Sequence, residues 1–248
     1  GRFPTFKNGH DPAGDGAARQ LPRGAKGARH CSMKYPPASL LCLALATPLG
    51  AHPHIFVDTK LEVLVDAEGR LTHLRITWAY DEFYSLLVTE DRGLDPDYDG
   101  VLTDAEIASL NGFDMQWIEG FNGDTVLLDG EEEIPLSAPK DVETDFKEGR
   151  IITSHLRAVE STLPSADGLV VKPYDPTYYT AYEVAGKVTV TGNDTCRARV
   201  KMPDMTADLR ALQADLEKLD TQTDPSEVGL PEIGEALANE VVITCETS

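Results

Sequence analysis

Positive charge is scarce in this sequence. Of 248 residues, 22 are Lys or Arg against 42 Asp or Glu, a formal net charge of −20. The deficit is uneven. Residues 1–51 hold seven of the basic and two of the acidic residues, which leaves fifteen and forty in 52–248, a net charge of −25. Such a surface repels nucleic acid and anionic membranes and attracts cations. No basic patch argues for DNA or RNA. Long apolar runs are also missing: the stretch from about Ala38 to Ala46 falls short of the roughly 20 residues a membrane-crossing helix needs. No direct membrane insertion is expected. Gly-x-Ser-x-Gly, His-Glu-x-x-His and phosphate-loop motifs are absent, and with them the usual signatures of three large enzyme classes. No internal repeat is found.

What is there begins with a leader. From Met33 the chain reads Met-Lys-Tyr-Pro-Pro-Ala-Ser-Leu-Leu-Cys-Leu-Ala-Leu-Ala-Thr-Pro-Leu-Gly-Ala. A positive start, a short apolar run and a small-residue end make a secretory signal peptide, with cleavage expected after Ala51. Cys42 follows Leu41 rather than a small residue, which argues against a lipoprotein cut. Residues 1–32 are rich in Gly, Arg and Pro without periodicity and read as an upstream extension. Residues 1–51 are therefore expected to be removed and 52–248 to form one periplasmic domain. Of the four cysteines, Cys31 and Cys42 leave with the leader. Cys196 and Cys245 remain, an even pair in an exported protein, each in a β-like run. One disulfide is expected, closing a loop of about 50 residues and contributing about 3–4 kcal/mol in the chain-entropy picture. The alternative, a reduced pair binding metal, lacks a nearby Cys or His.

The remaining chain alternates between strand and helix signals. Ile55 to Val65 and Leu71 to Tyr80 alternate apolar and polar residues about an Asp66-Ala-Glu-Gly69 turn. Further strand candidates are Thr125 to Leu128, Ile151 to Val159, Leu169 to Val171, Tyr178 to Val184, Lys187 to Val190, Cys196 to Val200 and Val241 to Cys245. Leu209, Leu212, Leu216 and Leu219 mark an amphipathic helix starting near Asp204. Pro231 to Asn239 reads as a short helix. The pattern predicts an α+β fold: a mostly antiparallel sheet, an inserted helix–loop–helix over about 80–120, and a C-terminal amphipathic helix.

The loop of that insertion carries the clearest chemistry. Residues 95 to 106 read Asp-Pro-Asp-Tyr-Asp-Gly-Val-Leu-Thr-Asp-Ala-Glu. This is an EF-hand calcium loop in every constrained position. Asp95, Asp97 and Asp99 supply carboxylate oxygens, Gly100 the sharp turn, and Val101 a backbone carbonyl. Thr103 offers a hydroxyl, and Glu106 closes the sphere with two oxygens. The entering helix is expected over Asp81 to Val88. The exiting one is expected to use Ile107, Leu110, Met115, Trp117 and Ile118, with an interruption near Asn111-Gly112. No second loop of this kind appears, so a structural or weakly sensing site is expected, with a dissociation constant of roughly 10⁻⁴ to 10⁻³ M. The competing reading is an acidic turn that fits the pattern by accident.

Cleavage after Ala51 would expose His52-Pro53-His54. Two imidazoles and a free α-amine are nitrogen donors suited to zinc, copper, nickel and cobalt. Pro53 has no backbone N–H, so an amide chelate cannot form there. The competing reading is two exposed histidines on a mobile terminus. His73 shares an outward strand face with Arg75 and reads as a surface residue. The face of His155 is ambiguous. Asp175, in Tyr174-Asp-Pro-Thr-Tyr-Tyr179, is a carboxylate that could stand near a site, although aromatics in such a run are most often core.

These residues together resemble a known family. His52-Pro-His-Ile-Phe-Val-Asp58, Trp78-Ala-Tyr-Asp-Glu-Phe-Tyr-Ser85, the acidic loop, Tyr174-Asp-Pro-Thr-Tyr-Tyr179 and Ala238-Asn-Glu-Val-Val-Ile-Thr-Cys245 look like a domain-of-unknown-function family. That family is described as the periplasmic component of an uncharacterised ABC-type transport system. The resemblance implies a soluble periplasmic protein beside a nickel/cobalt-type permease, with zinc uptake as its role. It supplies no catalytic residues, and it points to His52 and His54 as transition-metal ligands. The function expected is a periplasmic accessory protein that captures zinc, or nickel or cobalt, for a nickel/cobalt/zinc-type membrane permease, with calcium as a second, structural ion. The alternatives are a copper-dependent redox enzyme using the N-terminal histidine, and a calcium-dependent protein-interaction module.

Overall fold

The first two strands are long because their binary pattern breaks only beside the turn, at Thr72-His73, where the register also shifts. In β1 (Ile55–Val65) every second residue is buried, and β2 (Leu71–Tyr80) repeats the rhythm. The two pair antiparallel, from Val57 opposite Tyr80 to Leu64 opposite His73. Asp66 closes the turn between them: its carboxylate accepts from the amides of Glu68 and Arg70 and from the Arg70 guanidinium. The structure is a computed structural model, and it describes residues 53–246 apart from 164, 220–222 and 224. The expected leader and His52 lie outside the described residues. All those described fall in one compact unit, Leu49–Ser248.

After β2 come α1 (Glu82–Asp91) and α2 (Asp104–Leu110), then β3 (Thr125–Asp129), β4 (Glu132–Ile134), β5 (Lys140–Lys147) and β6 (Arg150–Ala158). The chain continues through β7 (Val170–Pro173), β8 (Thr180–Val184), β9 (Thr189–Thr191) and β10 (Cys196–Lys201). It ends with α3 (Ala207–Leu216), a 3₁₀ turn at Pro225–Val228, α4 (Gly234–Leu237) and β11 (Glu240–Cys245). One sheet has the order β5-β6-β2-β1-β8, with β9 also on β1; the other has the order β10-β11-β7-β3-β4. Only the pairings of β1 with β8 and β9 are parallel among the described strands. The protein is therefore α+β and mostly antiparallel.

The inward faces of both sheets share one core. Leu61, Val63, Leu74, Ile76 and Trp78 of the first meet Leu127, Val171, Val241 and Ile243 of the second. A smaller cluster of Leu209, Leu216 and Ile233 seats α3 and α4 against Tyr178. Cys196 and Cys245 stand opposite each other on β10 and β11 and are joined in a disulfide.

Four boundaries differ most from the sequence reading. The helix after the acidic loop ends at Leu110, because Asn111 is extended and Gly112 takes a φ of 73°. Met115, Trp117 and Ile118 are thus not helical. The C-terminal helix starts at Ala207 rather than near Asp204, since the Thr206 hydroxyl caps it by accepting from the Leu209 amide at 3.1 Å. Its last regular residue is Leu216, not Leu219. The strand expected from Tyr178 starts at Thr180, because Tyr178 sits in a turn with a φ of 57°.

Candidate functional site

The acidic loop hangs between two capped helices. Asp81 caps α1: one carboxylate oxygen accepts from the Tyr84 amide and the other from the Phe56 amide, each at 2.8 Å. Thr103 and Glu106 form a reciprocal capping box at the start of α2. Between the helices, oxygens of Asp95, Asp97 and Asp99 approach within 4.8 Å of one another. The backbone that gathers them is held locally. Asp95 accepts from the amides of Asp99 and Gly100, both at 3.0 Å, and Asp99 accepts from that of Val101 at 2.8 Å. Gly100 takes a φ of 76°, which glycine adopts at no steric cost. Leu102 turns inward and is buried in the main core.

Glu106 spans the loop's two ends. One oxygen accepts from the Asp95 amide at 3.0 Å, the other from the Thr103 amide at 2.8 Å and hydroxyl at 2.7 Å. These bonds, led by the one from the Thr103 amide, hold its carboxyl below the usual range. The donor set is hard oxygen throughout, which fits calcium or magnesium and not a soft metal.

His54 and the Tyr174–Tyr179 run, far apart in sequence, meet in space. The His54 amide donates to the Tyr179 carbonyl at 2.8 Å, and the two rings lie 4.5 Å apart. His54 is thus half-buried at the head of β1. Asp175 does not offer itself as a ligand. It is buried, and its carboxylate accepts from the Thr177 amide and hydroxyl and from the Thr180 amide, fixing the turn that presents Tyr179. A cleft of about 290 Å³ opens beside this region, lined by Phe56, Asp58, Tyr178, Glu183 and Met202 among others.

A polar interior between the sheets was not expected. Asp114 is half-buried and accepts from the Tyr80 hydroxyl at 2.8 Å and the Thr153 hydroxyl at 2.6 Å. Burial raises its carboxyl against the pull of those two bonds. Asp124 accepts from the Tyr182 hydroxyl at 2.8 Å. Burial first, and the charge of Asp175 second, push its carboxyl up to about 7. His155 is fully buried, with the edges of Trp78 and Trp117 against it at 4.8 and 5.8 Å. Neither of its ring nitrogens has a hydrogen-bond partner among the described residues. Burial, then the nearby Arg157, pull its imidazole down to about 3, so it is neutral at any physiological pH. Arg157 is buried too; its guanidinium donates to the carbonyls of Ser137, Asn122 and Leu136 and lies over the Trp117 ring. No apolar stripe marked this interior in the sequence, because the buried face of β6 is Ile151, Thr153, His155 and Arg157.

The family described as Protein of unknown function (DUF1007) matches residues 38–245. The chain belongs to that family. No curated protein matches it. In this DUF1007 chain the match runs through all the segments just described: the His54 strand, the acidic loop, the Tyr174–Tyr179 turn and the C-terminal disulfide strand. Of the other candidates, His73 is partly exposed on β2 opposite Leu64 of β1 and Ala158 of β6. No helix among the described residues of the DUF1007 chain is long and apolar enough to cross a membrane.

Proposed function

We propose that this protein is a periplasmic cation-binding accessory that captures a transition metal, zinc foremost and nickel or cobalt otherwise, and passes it to a membrane permease. Calcium in the loop from Asp95 to Glu106 is its structural ion. The observation that carries the reading is the convergence of Asp95, Asp97 and Asp99 to within 4.8 Å; Val101, Thr103 and Glu106 are the further oxygen donors that the spacing of the loop supplies. His52 and His54 would hold the second metal through imidazole nitrogen. Docking of His54 on Tyr179 favours this role, because it anchors the tip at one place on the fold. Hard and soft cations then have separate sites and need not compete.

The two halves are tested separately. Zinc titrated by calorimetry into protein with its naturally processed N-terminus binds near one equivalent. Replacing His52 and His54 by Ala weakens it by about tenfold or more, a loss of about 1.4 kcal/mol or more. Equal affinity in the double variant rejects the assignment. Export with cleavage after Ala51 is checked on the same material by mass spectrometry. Calcium at about ten times its dissociation constant stabilises the fold by about 1.4 kcal/mol, read as a rise in melting temperature over chelator-treated protein. Glu106→Gln removes most of that rise. Identical melting curves with and without chelator would rule out the calcium site.

A further inference from the structure

Helix α1 carries apolar side chains on its outer face as well as its inner one. Its buried positions are Ser85 and Thr89, and the Ser85 hydroxyl accepts from the Ile151 amide of β6 at 2.9 Å. Tyr84 and Val88 pack against the core, but three further large apolar side chains point outward: Phe83, Leu86 and Leu87 are 66, 53 and 50% exposed. Residues three and four apart are neighbours on a helix surface, so these three form one patch. Phe56 adds to it. Its backbone pairs in both directions with Asp81, which sets this 55% exposed side chain at the start of α1. Scattered apolar side chains on a surface need no explanation, but a contiguous group does. A helix under no demand but packing would carry the leucines inside and the serine outside.

We infer that this face docks a polypeptide segment of a partner protein, apolar on one side and bordered by Lys or Arg. Charge selects that occupant. Glu82, Glu90 and Asp91 are exposed on the same helix, the acidic loop follows, and residues 52–248 carry a net charge of −25. Two nearby cations are already engaged: Arg92 is drawn over the Phe113 ring, and Arg150 donates to Asp58 and to the carbonyls of Ala79 and Tyr80. A second copy of this chain would set like charge against like, and an anionic bilayer would be repelled. In the function proposed above, the partner is the permease; the surface itself rests on neither metal site.

The experiment uses a fluorescent amphipathic peptide of Leu and Lys, and a second of Leu and Glu with the same apolar pattern. Both are titrated into the full chain in zinc-free buffer at physiological salt. The Leu/Lys peptide binds and the Leu/Glu peptide does not. The combined Phe83→Ser, Leu86→Ser and Leu87→Ser variant weakens the first by about tenfold or more, and its zinc binding, measured in parallel, is unchanged. A second variant, Glu82→Lys with Glu90→Lys, keeps the apolar patch and narrows the preference for Leu/Lys. Undiminished binding by the triple Ser variant would mean that acidic charge alone attracts the peptide and would overturn the proposal. So would tighter binding to phosphatidylcholine vesicles than to the peptide, or dimerisation of the chain that the triple variant abolishes.

Discussion

Replacing Asp124 by Asn raises the stability of the protein at about pH 8 and changes it little at about pH 4. In the folded protein burial and the charge of Asp175 push this carboxyl up to about 7 from its ordinary 3.8. Below about pH 4 both folded and unfolded chains hold the proton, and the group contributes nothing. As pH rises toward 7 the unfolded chain releases it while the folded one keeps it, so stability falls; above 7 the loss is constant. Three units correspond to about 4 kcal/mol, an upper limit here, or about 10 °C in melting temperature for a domain of this size. Asparagine carries no charge to bury, and its side-chain oxygen can still accept from the Tyr182 hydroxyl. The measurement is urea unfolding of parent and variant across that pH range. Carboxylates held low in the native state, such as Glu106 and Glu240, act in the opposite direction, but they cancel between parent and variant. A stability gap that does not widen with pH would mean that Asp124 is solvated.

The second large effect is expected from the disulfide. The bond between Cys196 and Cys245 closes 49 residues of sequence, and a loop of that length is worth about 4 kcal/mol in unfolded-chain entropy. The bridge joins β10 to β11, and β11 in turn carries β7 and the rest of the second sheet. Cys196 is buried, so its replacement also costs packing. Reduction isolates the entropic part without changing a side chain. Thermal unfolding with and without reductant should differ by about 10 °C, and the Cys196→Ala, Cys245→Ala double variant should match the reduced protein or fall below it. Coincident transitions would show that the bridge does not form in the native protein.

The β1–β2 hairpin was legible in the sequence because one face of each strand is core and the other solvent, so burial wrote a period of two into the residues. β5 was not legible, for the converse reason. It is an edge strand reading Lys-Asp-Val-Glu-Thr-Asp-Phe-Lys, with no fully buried residue, so it has no apolar face to display. Helix α1 was visible as a helix but not in its orientation, since apolar spacing gives the stripe and not the side that packs. The convergence of Asp95, Asp97 and Asp99 was readable because the three lie within five residues, where spacing alone encodes geometry. The interior was unreadable because its partners are remote. Tyr80 reaches Asp114 across 34 residues, Asp114 reaches Thr153 across 39, and Asp124 reaches Tyr182 across 58. Nothing local links those residues; only the closed sheets bring them together.

The position of β1 dictates the order of assembly. It is the first strand among the described residues, yet it lies inside its sheet, flanked by β2 on one side and by β8 and β9 on the other. Ile55 waits for Thr180, which emerges only after most of the chain. Parallel pairing at that separation closes slowly, because the chain between must be ordered before the contact rewards it. Until β8 is available, one edge of this strand therefore stands uncovered, and the first sheet closes only late in folding.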